Sequence, residues 1–591
     1  MRIFSSRQTP AVSRRQFVSG LAAGGVVAGL GCRPALGALA GPVVPNYPQT
    51  LAGSTFQLDI GELPVNFTGR SRMATVVNGS LPAPVLRFRE GDTVKLSVFN
   101  RLKTLSAIHW HGLLVPASMD GVPGMSFPGI VPGGQYDYEF TVRQSGTYWY
   151  HAHAGYQEQT GLYGPIIIDP REPEPFSYDR DYVVMLSDWS DLSPERLVSL
   201  LKKQSSYFNY QQRTVADLAR DIREQGLKAT LAERRMWGQM RMSPTDRADV
   251  TGQTYTYLIN GNTPAGNWTG IFRPGERIRL RFVNAGAMTY FDVRIPGLRM
   301  TVVAADGQYV QPVTIDEFRL ATAETLDVIV TPEGNQAYTV FAQSMDRSGY
   351  ARGTLAPAVG LQAAVPALDR PVSLTLADMG HGAMAGMDHS SMAGMDHGSM
   401  WGMDHSAMVQ HPPAENGNPA VDMQTMSPEA RLADAGVGLR EEHLQSVRAG
   451  YTAGHKVLAL ADLRSAFADP DGREPGRTIE LHLTGHMDRY IWGFDGVKFS
   501  DAQPLQWQRG ERLRIVLVND TMMEHPIHLH GMWTDVEDEA GEFQVRKHTL
   551  SIPPGTKRSY RVTADAPGRW AYHCHLAYHM GLGMFREVQV S

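Results

Sequence analysis

The sequence predicts an all-β protein of three related sandwiches, with a helical insertion in the second and a flexible methionine-rich insert before the third. Three observations predict it: a strand-forming phrase that occurs three times, glycine and proline dense enough to cut the chain into short runs, and one stretch with helical spacing. The phrase reads "REGDTVKLSVFN" from Arg89, "RPGERIRLRFVN" from Arg273 and "QRGERLRIVLVN" from Gln508. In each copy a charged or glycine-containing turn precedes alternating apolar residues, the pattern of a half-buried strand. The 59 glycines and 37 prolines between such runs favour antiparallel sandwiches over helices. Residues 193–240 differ, because "SPERLVSLLKK" and "VADLARDIREQGLKATLAERR" carry helical spacing with Ser193 placed as a cap. The expected divisions are 41–172, 173–370 with the helices at 193–240 inside it, a connecting segment 371–450, and 451–591.

Residues 1–40 read as a twin-arginine export signal: Arg14 and Arg15 in "SRRQFVSG" precede the short apolar run "LAAGGVVAGL", and Ala38, Leu39 and Ala40 suit cleavage. The expected destination is the periplasm, with Cys32 in "LGC" as an alternative lipidation point. Removal of the signal leaves Cys574 as the sole thiol, so no internal disulfide is expected even in an oxidising compartment. A formal net charge of -5, with basic residues spread along the chain, argues against a nucleic-acid partner. No later apolar stretch approaches the roughly 20 residues of a membrane span.

The first and third copies run on into histidine pairs. "HWHG" holds His109 and His111, "GTYWYHAH" holds His151 and His153, "HPIHLHG" holds His525, His528 and His530, and "GRWAYHCH" holds His573 and His575. Residues i and i+2 of a strand share a face, so each pair presents two imidazoles side by side. Cys574, between two of them, must face the other way. The second copy has no such pair and reads as a structural spacer. Aligning the first and third copies matches His109 with His528, His111 with His530, His151 with His573 and His153 with His575. His525, Cys574, His579 and Met584 instead face Ser106, Ala152, Gln157 and Leu162. Two His, one Cys and a weak Met make the ligand set of a blue-copper electron-transfer site. Zinc would favour a closed four-ligand site and has no use for a long axial Met. His443, His455, His482, His486 and His548 lack paired spacing and read as surface or hydrogen-bonded residues, and Met487 as core.

These motifs resemble the multicopper oxidases, enzymes of three cupredoxin-like Greek-key sandwiches, over nearly the whole chain. "DTMMEHPIHLHGMW", "FQVRKHT" and "GRWAYHCHLAYHM" look most like the copper-resistance oxidases of the bacterial periplasm. The resemblance implies four copper ions: type 1 on His525, Cys574, His579 and Met584, type 2 on His109 and His528, and a type 3 pair on His111, His151, His153, His530, His573 and His575. It also implies a catalytic carboxyl at Asp120, in "MDGVPG", for proton supply. Tyr578 replaces a second acid of some relatives, so that donor is unassigned.

Residues 386–408, "GMDHSSMAGMDHGSMWGMDHSAM", repeat one eight-residue unit three times. The tract lacks β alternation and is expected to stay unfolded alone. Thioethers select Cu(I), which makes Met387, His389, Met392, Met395, His397, Met400, Met403, His405 and Met408 candidate sites for extra copper. The expected function is oxidation of Cu(I), or of a small reducing substrate, coupled to reduction of O2 to water in copper resistance. Other periplasmic copper-handling proteins are expected partners. The alternatives are a laccase-like oxidase of phenols or siderophores, and a copper-sequestering carrier.

Overall fold

The structure, a computed structural model, describes residues 48–240, 242–380, 425, 428–487 and 489–591. The export signal with Cys32 and the methionine repeat at 386–408 lie outside the described residues. The described strands form six sheets in three pairs, drawn from residues 50–169, 180–356 and 477–590.

The three copies of the repeated phrase become the strands Thr93–Asn100, Ile278–Asn284 and Arg512–Asn519. Each lies inside its sheet, with one parallel and one antiparallel neighbour. The sandwiches are therefore mixed rather than purely antiparallel. In the first copy the chain joining the parallel partners passes through the opposite sheet as Val85–Arg89, a connection long enough to allow parallel pairing.

The alternating pattern is kept in the first of these strands, where Val94, Leu96 and Val98 are buried while Thr93 and Lys95 are exposed. The second departs from it, because all seven residues of Ile278–Asn284 are buried. Its polar face meets the first sheet pair where Arg281 Nη1 donates to Thr147 Oγ1 at 3.0 Å, and Arg279 is paired with Asp327 of the neighbouring strand and with Glu174 of the connecting segment.

Each strand ends in an asparagine that repeats one task. The Nδ2 of Asn100 donates to the carbonyls of Thr104 and Ile130, that of Asn284 to Thr289 and Leu320, and that of Asn519 to Met523 and Ile552. The three Oδ1 atoms accept from the backbone N–H of Leu102, Gly286 and Thr521. These bonds fix the turn that leads to His109 in the first copy and to His525 in the third.

Helices Pro194–Leu201, Val215–Gln225 and Leu227–Gln239 fill the predicted insertion. Ser193 Oγ accepts from Arg196 N at 3.3 Å, and Thr214 and Asp217 form a capping box. Leu197, Leu200 and Leu201 of the first helix and Trp237 of the third turn into the core. Among the described residues no helix is long and apolar enough to cross a membrane.

Candidate metal centre

Two short strand pairs carry the histidines. His109–His111 runs antiparallel to Gly146–His151 with His109 opposite His151, and His525–Leu529 runs antiparallel to Gly568–Cys574 with His528 opposite His573. The matched register lets the two copies face each other across a shared boundary. Their imidazole nitrogens gather into the groups His109, His111, His528; His111, His151, His575; and His153, His530, His573, the chosen atoms of each lying within 4.8 Å of one another. Every group draws on both the first and the third sheet pairs.

Hydrogen bonds fix which nitrogen each imidazole turns inward. His109 Nδ1 donates to Asp120 O at 2.8 Å, His528 Nδ1 to His548 O at 2.6 Å, His573 Nδ1 to Cys574 O at 2.9 Å and His530 Nδ1 to Asp120 Oδ2 at 2.8 Å. His151 Nδ1 has Ala152 O at 3.0 Å and Glu158 Oε2 at 2.7 Å. In a neutral imidazole the other nitrogen then carries a lone pair. Burial, reinforced by neighbouring imidazoles, keeps His111, His153, His528, His530 and His575 far below the ordinary histidine range and His573 at about 3. The rings are therefore neutral.

The result is a cluster of lone pairs aimed at one another. His530 Nε2 and His573 Nε2 are 3.0 Å apart, and His151 Nε2 and His575 Nε2 are 3.3 Å apart. His109 Nε2 and His528 Nε2 are buried without a hydrogen-bond partner. Such an arrangement is repulsive and unsatisfied in an uncharged protein interior, and a cation among the nitrogens relieves both defects. The donor set fits copper, for which imidazole is a suitable ligand.

A second group lies on the other side of the same run. Cys574 Sγ is 3.6 Å from His525 Nδ1 and 3.8 Å from His579 Nδ1, which are 3.2 Å from each other. His579 Nε2 donates to Asp249 Oδ2 at 2.8 Å, so its Nδ1 presents a lone pair to the sulfur. Thr521 Oγ1 lies 2.6 Å from His525 Nε2 and plays the same part. Met584 is fully buried, and its backbone joins the group because Cys574 N donates to Met584 O at 3.1 Å and Met584 N to His579 O at 2.9 Å. Burial pushes the Cys574 thiol well above its ordinary range, so only a nearby cation would favour the thiolate. A soft sulfur donor with two imidazoles again fits copper. His573, Cys574 and His575 thus link the two groups through three consecutive residues.

Several contributors carry no signal in sequence spacing. Asp249 follows the helical insertion and meets His579 from a distance of 330 residues along the chain. Trp492 stacks on His579 with ring centroids 3.8 Å apart, and Trp149 stacks on His151 at 4.3 Å. Glu158 is buried beside His151 and His575, and burial raises its carboxyl well above the usual range. Its position seven residues after His151 in "HAHAGYQEQT" was the available hint. Tyr578 is buried and donates to Gln159 Oε1 at 3.2 Å. His548, which lacked paired spacing, is buried 3.2 Å from His111 Nε2.

Family models described as multicopper oxidase match residues 59–173, 180–360 and 472–591. The chain is 59% identical to copper resistance protein A of Pseudomonas syringae pv. tomato, over 98% of this chain and 99% of that one, and 59% identical to copper resistance protein A of Escherichia coli with the same coverage. It is 28% identical to the multicopper oxidase MmcO of Mycobacterium tuberculosis, over 97% of this chain and 95% of the relative. In fold it is similar to the crystal structure of Fet3p, a multicopper oxidase that functions in iron import, with a TM-score of 0.62 and 20% identity over 92% of this chain and 91% of the other. With its three sheet pairs and buried histidine and cysteine groups, the chain belongs to the multicopper oxidase family of oxidoreductases.

Proposed function

We propose that this protein is a periplasmic copper-resistance oxidase that converts Cu(I) to Cu(II) with O2 as the terminal acceptor. The observation that carries the oxidase reading is the run His573–Cys574–His575, which joins a thiol group to two of the three imidazole groups, the third sharing His111 with one of them. The near full-length similarity to proteins named copper resistance protein A and the thioether-rich repeat at 386–408 support Cu(I) as the substrate. The paired arginines of residues 1–40 support twin-arginine export. The sheet pairs support divisions at 41–172, 173–370 and 451–591, with 371–450 as a connecting segment that offers extra copper ligands.

In this reading His525, Cys574, His579 and Met584 hold a type 1 copper. His109 and His528 hold a type 2 copper, and His111, His151, His153, His530, His573 and His575 hold a type 3 pair. Bound copper supplies one-electron redox chemistry at four centres, matching the four electrons that take O2 to two waters. The protein's part is orientation and exclusion. Carbonyls of Asp120, Ala152, His548 and Cys574 hold imidazole N–H groups outward and leave lone pairs directed inward. Asp120 and Glu158 add carboxyl groups next to His530 and His151, and the reading keeps Asp120 as the acid for proton supply. Asp249 and Thr521 hold the two imidazoles beside Cys574, and Trp492 covers one of them.

Oxygen uptake by the copper-loaded protein tests the substrate. Cu(I) should drive uptake, and a bulky phenol without added copper should drive it far more slowly. Full copper occupancy with no Cu(I)-dependent uptake would remove the proposal.

A further inference from the structure

The middle sheets contribute no histidine to the cluster, yet one of their carboxylates holds the segment that supports it. Asp306 is fully buried in the turn after the strand Met300–Ala305. Its Oδ1 accepts from Thr325 N at 3.0 Å. Its Oδ2 accepts from three groups of the segment Lys547–Thr549: Lys547 Nζ at 3.0 Å, His548 N at 3.2 Å and Thr549 N at 3.1 Å. Lys547 Nζ also reaches Glu324 at 3.2 Å, so one buried ammonium of the third sheet pair bridges two carboxyl groups of the middle one.

The segment so held meets two imidazoles that come from different parts of the chain. The carbonyl of His548 accepts from His528 Nδ1 at 2.6 Å. His548 Nδ1 and Thr549 Oγ1 lie 3.2 and 3.1 Å from His111 Nε2. The inner nitrogens, His528 Nε2 and His111 Nδ1, are buried without a hydrogen-bond partner. Three residues thereby choose which nitrogen each ring presents: Nε2 for His528 and Nδ1 for His111. The fit is tight, since a Cβ on Gly112, next to His111, would stand 2.5 Å from His548 Cδ2.

We propose that Asp306 is a positioning residue for the trinuclear cluster, acting through Lys547–Thr549 on His111 and His528. The inference rests on the copper assignment above. It gives the middle sheets a task beyond spacing the outer two: they set the ring orientations on which copper retention at the boundary depends. Asp306 touches no candidate ligand, so its influence is transmitted by the segment alone.

The test compares the copper-loaded wild type with Asp306→Asn and His548→Phe. Asn suits the left-handed backbone at 306, where φ is 48°, but offers a neutral oxygen to three donors. Phe keeps the His548 carbonyl and removes the ring nitrogen that contacts His111, together with its contact to Thr549 Oγ1 at 3.0 Å and its approach to Asp306 Oδ2 at 3.7 Å. Copper retention during stepwise chelation and the type 2 paramagnetic spectrum are read beside the blue absorption of the Cys574 group. The expected result is a loss of about 10-fold or more in retention of trinuclear copper in both variants, a changed type 2 spectrum in Asp306→Asn, and unchanged blue absorption. Wild-type retention and spectra in both variants would overturn the inference. So would loss of blue absorption along with the type 2 signal in both, which would make Asp306 a general support of the fold. A wild type without any type 2 signal would instead refute the underlying assignment.

Discussion

The first and third sheet pairs share one backbone around the Cys574 position and differ in what fills it. In the third, Cys574 N donates to Met584 O and Met584 N to His579 O; in the first, Ala152 N donates to Leu162 O and Leu162 N to Gln157 O. The side chains of His525 and His579 approach to 3.2 Å, while at the matching positions Ser106 Oγ donates to Gln157 Oε1 at 2.6 Å. A neutral hydrogen bond stands where the third copy has two imidazoles, and Ala152 and Leu162 stand where it has sulfur. The shared scaffold alone therefore does not gather metal-ligating side chains. The two copies differ there in four side chains, and the first satisfies the polar ones with the Ser106–Gln157 bond.

Turning the third copy into the first at one position is the largest test of this comparison. Cys574→Ala copies Ala152 and should abolish the blue absorption and bring Cu(I)-dependent oxygen uptake to background. The histidine groups across the boundary should keep their copper, because Cys574 supplies only a backbone carbonyl there, to His573 Nδ1. Metal analysis and absorption spectra on the purified protein read both effects. Persistent blue absorption would show that the thiol is not the chromophore.

A second difference lies beside the repeated asparagines. In the third copy His482 pairs with Asp520 at 2.6 Å and Glu480 at 3.0 Å. The matching positions of the first copy carry the exposed pair Asp59 and Arg101 at 2.9 Å, and those of the middle copy carry buried Met185 and Ala285. Register supports the match: Ile60 stands opposite Asn100, Leu186 opposite Asn284 and Leu483 opposite Asn519. Burial works against a charge on His482, but the two carboxylates outweigh it and raise its pKa to about 9. A raised folded-state value means that the pair's stabilisation is complete below about 6.5, the unfolded value, and is lost as pH climbs through about 9. The loss should be on the order of 2 to 3 kcal/mol. Denaturant midpoints of the wild type should fall over that window, and those of His482→Gln should fall less. Equal slopes in the two proteins would assign the pH dependence elsewhere.

Legibility in the sequence followed the range of the interactions involved. The strands were readable because alternation is local, and the histidine pairs because i and i+2 share a strand face wherever the strand ends up. The buried second strand was misread, since nothing near Ile278–Asn284 reveals that another sheet covers Arg281 and that the segment with Glu174, Phe176 and Tyr178 covers Arg279. The Ser106–Gln157 bond was hidden inside an alignment that marked those positions only as differences from His525 and His579. Asp249, Asp306 and Trp492 had no legible signal, because each meets its histidine or its segment only after the sheets assemble. Asp120 came from family resemblance; its contact to His109 is local to the first copy, whereas its contact to His530 requires the first and third copies to be docked.

The smallest effect isolates the filler of the first copy. Ser106→Ala leaves Gln157 Oε1 without its donor and should cost about 1 kcal/mol of stability. Adding Gln157→Leu removes the stranded acceptor as well. The Leu105 carbonyl that Gln157 Nε2 contacts belongs to an exposed residue, so water can take over that bond. The double variant should therefore recover most of the loss, as expected when both partners of a hydrogen bond become apolar. Thermal unfolding of the single and double variants measures the coupling. If the double variant is less stable than the single one, Ser106 and Gln157 do more than fill the positions that His525 and His579 take in the third copy, and the first copy needs its polar pair for packing the turn ahead of His109.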